Sequence, residues 1–148
     1  MNNDEVRMEK VTDKSIQDAF DNNEYFNRLV KVVKILPAIS ATNIPNNLDE
    51  VIAYFDSVAT PEYIDFIKND AKSTYEMMPH HGYGTYMRNT WGLWHDSVLA
   101  KWFKNLGVLH ADDMTGIISK AYFNHVKGLP FDLDAEVKHY KNYWAKSP

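Results

Sequence analysis

The sequence predicts an all-α fold, a single compact domain of about six to seven helices, on three observations. Apolar residues recur at spacings of three and four through most of the 148-residue chain, which is the period of one helix face. No segment alternates apolar and polar residues as a half-buried strand does. Helix punctuation recurs as well, with Thr60-Pro61 as a start and Gly107 and Gly128 as stops.

Taken in order, residues 1–11 are polar and are expected to form a disordered N-terminal segment, leaving 12–148 as the helical domain. A first helical pattern starts at Thr12 or Asp13 as cap and carries Ile16, Phe20, Phe26, Leu29, Val30, Val33 and Leu36 on one side. Asp21, Asn22 and Asn23 offer a break in it, and Pro37 ends it. The segment from Pro37 to Asn47 is a loop by its Pro, Ser, Thr and Asn content. Asn47, three residues before Glu50, opens the next helix in the manner of a capping box, with Leu48, Val51, Ile52 and Phe55 on its inner face. Thr60 and Pro61 open another, whose inner side is expected to be Tyr63, Ile64, Ile67, Ala71 and Tyr75, with Pro79 as its stop. Asp96 or Ser97 caps a helix that turns Val98, Leu99, Trp102, Phe103 and Leu106 inward and ends at Gly107. A helix from about Ala111 ends at Gly128, and the last, capped by Asp132 or Asp134, puts Leu133, Val137, Tyr140 and Trp144 on one stripe.

Composition excludes several classes of function. The net charge is −4 and no dense Lys/Arg run occurs, so generic nucleic-acid binding is not expected. The chain has no cysteine, which removes disulfides, thiolate catalysis and thiolate metal sites and fits a cytoplasmic protein. The longest apolar stretch, Leu29 to Ile39, holds two lysines and a proline and is too short for a bilayer, which needs roughly 20 apolar residues, so no membrane role is expected. The N-terminus lacks the apolar run of a signal peptide.

The least ordinary stretch runs from His80 to Trp94, HHGYGTYMRNTWGLW. His80 to Gly84 reads as a loop, with a helix from Gly84 or Thr85 through Arg88 and Trp91. At 100° per residue, Arg88, Trp91 and His95 fall within about 60° of one another, and Asn89 points about 100° away. Arg88 is a fork of donors suited to carboxylate or phosphate, and a tryptophan beside it offers a cation–π face. Two glycines before a helix start add an anion-binding possibility through backbone N–H groups. The structural alternative is equally concrete: Arg88 ties helix ends to Asp112 or Asp113, and Trp91 and Trp94 are core.

A second cluster, LHADDMTG, holds His110, Asp112 and Asp113. A histidine with two carboxylates suits acid–base or metal chemistry. Asp112 as N-cap and Asp113 in the first turn would serve a helix start without any ligand. No HExxH, P-loop, GxGxxG or GxSxG pattern is present, and neither a metal nor a cofactor is expected.

The two clusters together resemble a family of small uncharacterised helical domains of bacteria and phages. The resemblance rests on Gly84, the Arg88-Asn89 pair, Trp91-x-Leu93-Trp94, and His110-x-Asp112-Asp113-Met114, and it runs over roughly residues 44 to 144. That family has no agreed function, so the resemblance implies that the two clusters belong together and implies no mechanism.

Two functions are expected from these residues. The first is a binding or interaction protein, a phage or bacterial accessory factor that recognises a protein partner or an anionic or nucleotide ligand. Its candidate ligand-binding residues are His80, His81, Arg88, Asn89, Trp91, Trp94, His110, Asp112 and Asp113, with Arg88 as anion clamp, Trp91 or Trp94 as stacking surface and the paired histidines as donors. The second is a small hydrolase or transferase on a phosphate-containing substrate, with His81 or His110 as acid–base, Asp112 or Asp113 as base or metal ligand and Arg88 stabilising charge.

Overall fold

A computed structural model describes residues 23–146, and all secondary structure among them is helical. The expected cap at Thr12 or Asp13, the apolar positions Ile16 and Phe20, and segment 1–11, expected to be disordered, lie outside these residues. Eight α-helices and one π turn are present among the described residues, more than the six to seven expected. No described helix is long and apolar enough to cross a membrane.

Helix α1, Glu24–Val33, starts at Asn23, whose Oδ1 accepts from the Phe26 N–H at 2.9 Å. Its inner face is only part of the expected stripe, with Leu29 and the following Leu36 packed against the core. Val32 is buried, while Phe26, Val30 and Val33 are exposed. The helix is rotated by a polar pair: Arg28 reaches both carboxylate oxygens of buried Glu76 on α4, and Lys31 pairs with Asp70. A bidentate guanidinium–carboxylate contact specifies one helix rotation more sharply than apolar area does.

Helix α2, Leu48–Val58, has the expected Asn47 cap on Glu50 N at 2.9 Å, and Leu48, Val51 and Phe55 are buried. Helix α3, Pro61–Asn69, has the expected Thr60 cap at 3.2 Å. The expected continuation through Tyr75 fails, because the chain breaks after Asn69 and restarts at Ser73, which caps the short α4, Thr74–Met77. Glu76 accepts from Lys72 N as well as Arg28, so the restart turns Glu76 inward and Tyr75 outward, leaving Tyr75 65% exposed.

The expected loop after Pro79 is one π turn, His80–Gly84, closed by Gly84 N–H to Pro79 O at 2.9 Å. It runs directly into α5, Thr85–Thr90. That helix stops short of Trp91. Gly92 sits at φ +63° and Leu93 N–H reaches Arg88 O at 3.0 Å, a Schellman-type end that only a left-handed residue permits. Helix α6, Val98–Leu106, is capped by Ser97 and ended by Gly107 at φ +99°; Val98, expected inside, is exposed.

Helix α7, Ala111–Lys127, is the axis of the molecule. It contacts α2, α3, α4, the π turn, α5, α6 and the last helix, α8, Leu133–Lys146. Its buried positions Met114, Ile117, Ile118, Ala121 and Tyr122 meet Phe55 and Met77 in one core. Trp91 closes that core, edge-on to Tyr54 at 5.3 Å with its indole N–H on Ser40 O at 3.0 Å. Helix α8 packs lightly, through Val137, Leu133 and Tyr140. Tyr140 lies so close to Gly116 of α7 that a Cβ there would stand 2.6 Å from its hydroxyl.

Candidate functional site

The start of α7 forms the floor of two adjoining hollows. One, a polar cleft of about 450 Å³, lies between the π turn, α4 and α8 and is lined by His80, Thr115, Ser119, Lys120, Glu136 and His139 among others. The other, a groove of about 600 Å³, opens toward Trp94, Leu109, Tyr143 and Trp144. Tyr75, Asp112, Asp113, His139 and Tyr140 line both.

Arg88 lies beneath this floor rather than in it. Its side chain is 4% exposed. Nη1 donates to Thr115 Oγ1 at 2.8 Å, and Nη2 donates to His80 O at 3.2 Å and Thr85 Oγ1 at 3.0 Å. Its Nε lies 3.3 Å from Asp112 Oδ1, near enough for charge attraction but without the in-line geometry of a hydrogen bond. The guanidinium therefore fastens the π turn, α5 and α7 to one another. The expected role as a free anion clamp is corrected on this geometry, since its donors are directed at the protein's own oxygens. The gap that admits it is Gly84, where a Cβ would meet Nη1 at 3.0 Å.

The expected common stripe of Arg88, Trp91 and His95 does not exist, because the helix ends before Trp91. Trp91 is fully buried and offers no stacking face, whereas His95 is exposed. The tryptophan beside Arg88 is Trp94, whose ring lies 5.5 Å from the guanidinium carbon. Asn89 holds that ring, accepting its indole N–H at 2.9 Å.

Of the acidic pair, Asp113 sits in the first turn as expected and Asp112 is displaced from the expected N-cap. His110, not Asp112, is the N-cap, and it makes no side-chain capping bond. Asp112 and Asp113 occupy the first turn, where the positive end of a 17-residue helix favours them. Asp113 Oδ2 accepts the Trp144 indole N–H at 2.7 Å, and the His110 ring stacks on Trp144 with centroids 3.8 Å apart.

His80 is half-buried, edge-on to His81 at 5.0 Å and to Tyr75 at 6.3 Å. Burial lowers its pKa below the usual imidazole value, and the nearby Arg88 charge lowers it further against an opposing pull from Asp112. Tyr140 is pushed up to about 12 by burial and by the carboxylates of Asp113 and Glu136, so its hydroxyl stays protonated. His81 is exposed and is not part of either hollow's lining.

The hollows thus bring together His80, His110, Asp112, Asp113 and Trp94, and leave out His81, Trp91 and Asn89. Among the described residues, no histidine hydrogen-bonds Asp112 or Asp113, and no group of three or more His, Asp or Glu side chains has the arrangement of a metal site. Sequence reasoning missed Tyr75, Leu109, His139, Tyr140, Tyr143 and Trp144 as lining residues. For Tyr143 and Trp144 the signal was present in Tyr-Lys-Asn-Tyr-Trp at 140–144, which reads as helix packing until α8 is seen to expose both rings.

A family model described as a domain of unknown function (DUF6794) matches residues 44–126. The match holds both polar clusters and ends inside α7, so the α8 wall of the groove lies outside it. No curated protein matches the chain, and no solved structure does.

Proposed function

The chain belongs to this DUF6794 family, which brings no activity with it, and from the site's geometry we propose that the protein is a binding module that holds a partner protein in the groove between α6, α7 and α8. One observation carries the reading. Tyr75, Trp94, Leu109, Tyr143 and Trp144 are all exposed, and all line that one groove. Large apolar side chains scattered singly over a surface are ordinary, but a contiguous set rimmed by polar groups is the signature of a recognition surface. Tryptophan and tyrosine are the residue types that carry most binding energy at such surfaces.

An anionic or nucleotide ligand is the weaker choice, because Arg88 is committed to internal oxygens and the groove wall carries Asp112 and Asp113. A bacterial or phage accessory role in the cytoplasm is compatible with this reading and rests on the motif resemblance and the cysteine-free composition.

The test is capture from a lysate of the source cells by tagged protein and by a Trp94→Ala/Trp144→Ala variant of unchanged helicity. A protein retained by the first and lost by the second is the expected result. Equal recovery by both overturns the reading. A nucleotide that raises the Tm, with the rise lost in Arg88→Lys, overturns it in favour of the anionic ligand.

A further inference from the structure

Resting on the reading of this groove as a partner-binding surface, we infer that its occupant is a positively charged segment of the partner, held by an arginine side chain between the groove's aromatic rings and the carboxylates of Asp112 and Asp113.

The walls are set in advance of any partner. The Trp94 indole is tied to Asn89 at 2.9 Å, and the Trp144 indole is tied to Asp113 at 2.7 Å and stacked on His110 at 3.8 Å. Both rings are nevertheless about half exposed, at 51% and 44%. Hydrogen bonds that hold a large ring open to solvent remove its rotamer freedom before binding, so less is lost when a partner docks.

The charge on the lining selects the occupant. Asp112 is 55% exposed, and its Oδ1 lies 3.3 Å from Arg88 Nε, its one ion-pair partner among the described residues. Asp113 has no ion pair among the described residues. Among the described residues Lys104 is the only lysine or arginine on the groove wall, and its ammonium is held by Asp96 Oδ1 at 3.1 Å and His95 O at 3.0 Å. The wall therefore offers carboxylates and π faces, the two groups that attract a guanidinium. The molecule already demonstrates the pairing from within, since Arg88 lies against Trp94 and Asp112 together. A planar guanidinium suits this better than an ammonium, because it stacks on a ring while its edge donors reach a carboxylate.

The probe is the peptide acetyl-Gly-Arg-Leu-Arg-Gly-amide, with versions in which glutamine or glutamate replaces both arginines. Binding is read from amide and indole NMR signals of the full chain. The arginine peptide is expected to move the Asp112, Asp113, Trp94 and Trp144 signals and to bind at least about tenfold more tightly than the glutamine version. Asp112→Asn/Asp113→Asn is expected to erase that preference. Raising salt from about 50 mM to about 500 mM weakens the arginine peptide alone, which gives the same readout on the unaltered protein if the variant folds poorly.

Equal binding of the glutamine or glutamate peptide at these signals overturns the inference while the groove remains a binding surface. No movement with any of the three, alongside a captured partner that depends on Trp94 and Trp144, overturns the inference alone. A concentration-dependent dimer abolished by Trp144→Ala makes a second copy the occupant and overturns both.

Discussion

Replacing Arg88 by methionine keeps most of the buried volume and removes every donor. Three hydrogen bonds from a charged group go with it, to Thr115, Thr85 and His80 O, together with the contact to Asp112. Each such bond is worth roughly 1.5–3 kcal/mol when its donor is charged. Two discounts apply. The acceptors on the π turn and on Thr85 are only part-buried and regain water, and relief of the buried guanidinium's desolvation offsets some of the loss. The expected destabilisation is about 2–3 kcal/mol. With a urea m-value near 2 kcal/mol/M, the midpoint falls by about 1–1.5 M, and the Tm falls by about 4–12 °C. The comparison that decides the cause is Asp112→Asn. Because the Asp112 side chain is 55% exposed, that change should cost no more than about 1 kcal/mol. Urea denaturation followed by far-UV circular dichroism measures both. If Arg88→Met stays within about 0.5 kcal/mol of the parent, or if Asp112→Asn costs as much as Arg88→Met, the view of Arg88 as a fastener of three elements is wrong.

Further outcomes follow from single contacts. Gly116→Ala places a methyl 2.6 Å from the Tyr140 hydroxyl and should destabilise by about 1–2 kcal/mol, whereas in a Tyr140→Phe background the same change should be neutral or stabilising by up to about 1 kcal/mol, as a helical Gly→Ala change is when space exists. Chemical denaturation of the four proteins closes that cycle. Tyr83→Phe removes a buried hydroxyl that donates to Pro37 O and should cost about 1 kcal/mol, read as a lower urea midpoint at unchanged m-value. For His80 the folded pKa lies below 6.5, so as pH falls the unfolded chain takes the proton first. The His80 contribution is full above 6.5 and is lost as pH drops from there through the folded value. The decline in Tm between about pH 7.5 and about pH 5.5 should therefore be smaller in His80→Gln than in the parent, and an equal or larger decline contradicts the burial of this imidazole.

Much of the fold was legible because its signals are local. Asn47, Thr60, Ser97, Gly107 and Gly128 act on the backbone within four residues of themselves, and each cap or stop is where its chemistry put it. Gly92 was not read as a stop, because the apolar and aromatic spacing around it argued for a longer helix; the left-handed backbone that ends α5 there is a finding of the structure. Tyr75 was misplaced for a related reason. Continuing the period of α3 past Asn69 puts Tyr75 inside, and the restart at Ser73, driven by the Glu76–Arg28 pair 48 residues apart, turns it out.

By itself, then, the sequence determined the all-α class, most helix starts and stops, and the presence of two polar clusters, since these depend on hydrophobic period and on backbone donors satisfied nearby. Only the tertiary structure decided what the clusters do. Whether Arg88 faces a ligand or the interior depends on α7 bringing Thr115 to the guanidinium that Gly84 leaves room for, and whether Trp94 and Trp144 are core or surface depends on how shallowly α8 lies on α7. Those are distances between elements far apart in the chain, which the side-chain period of one helix does not encode.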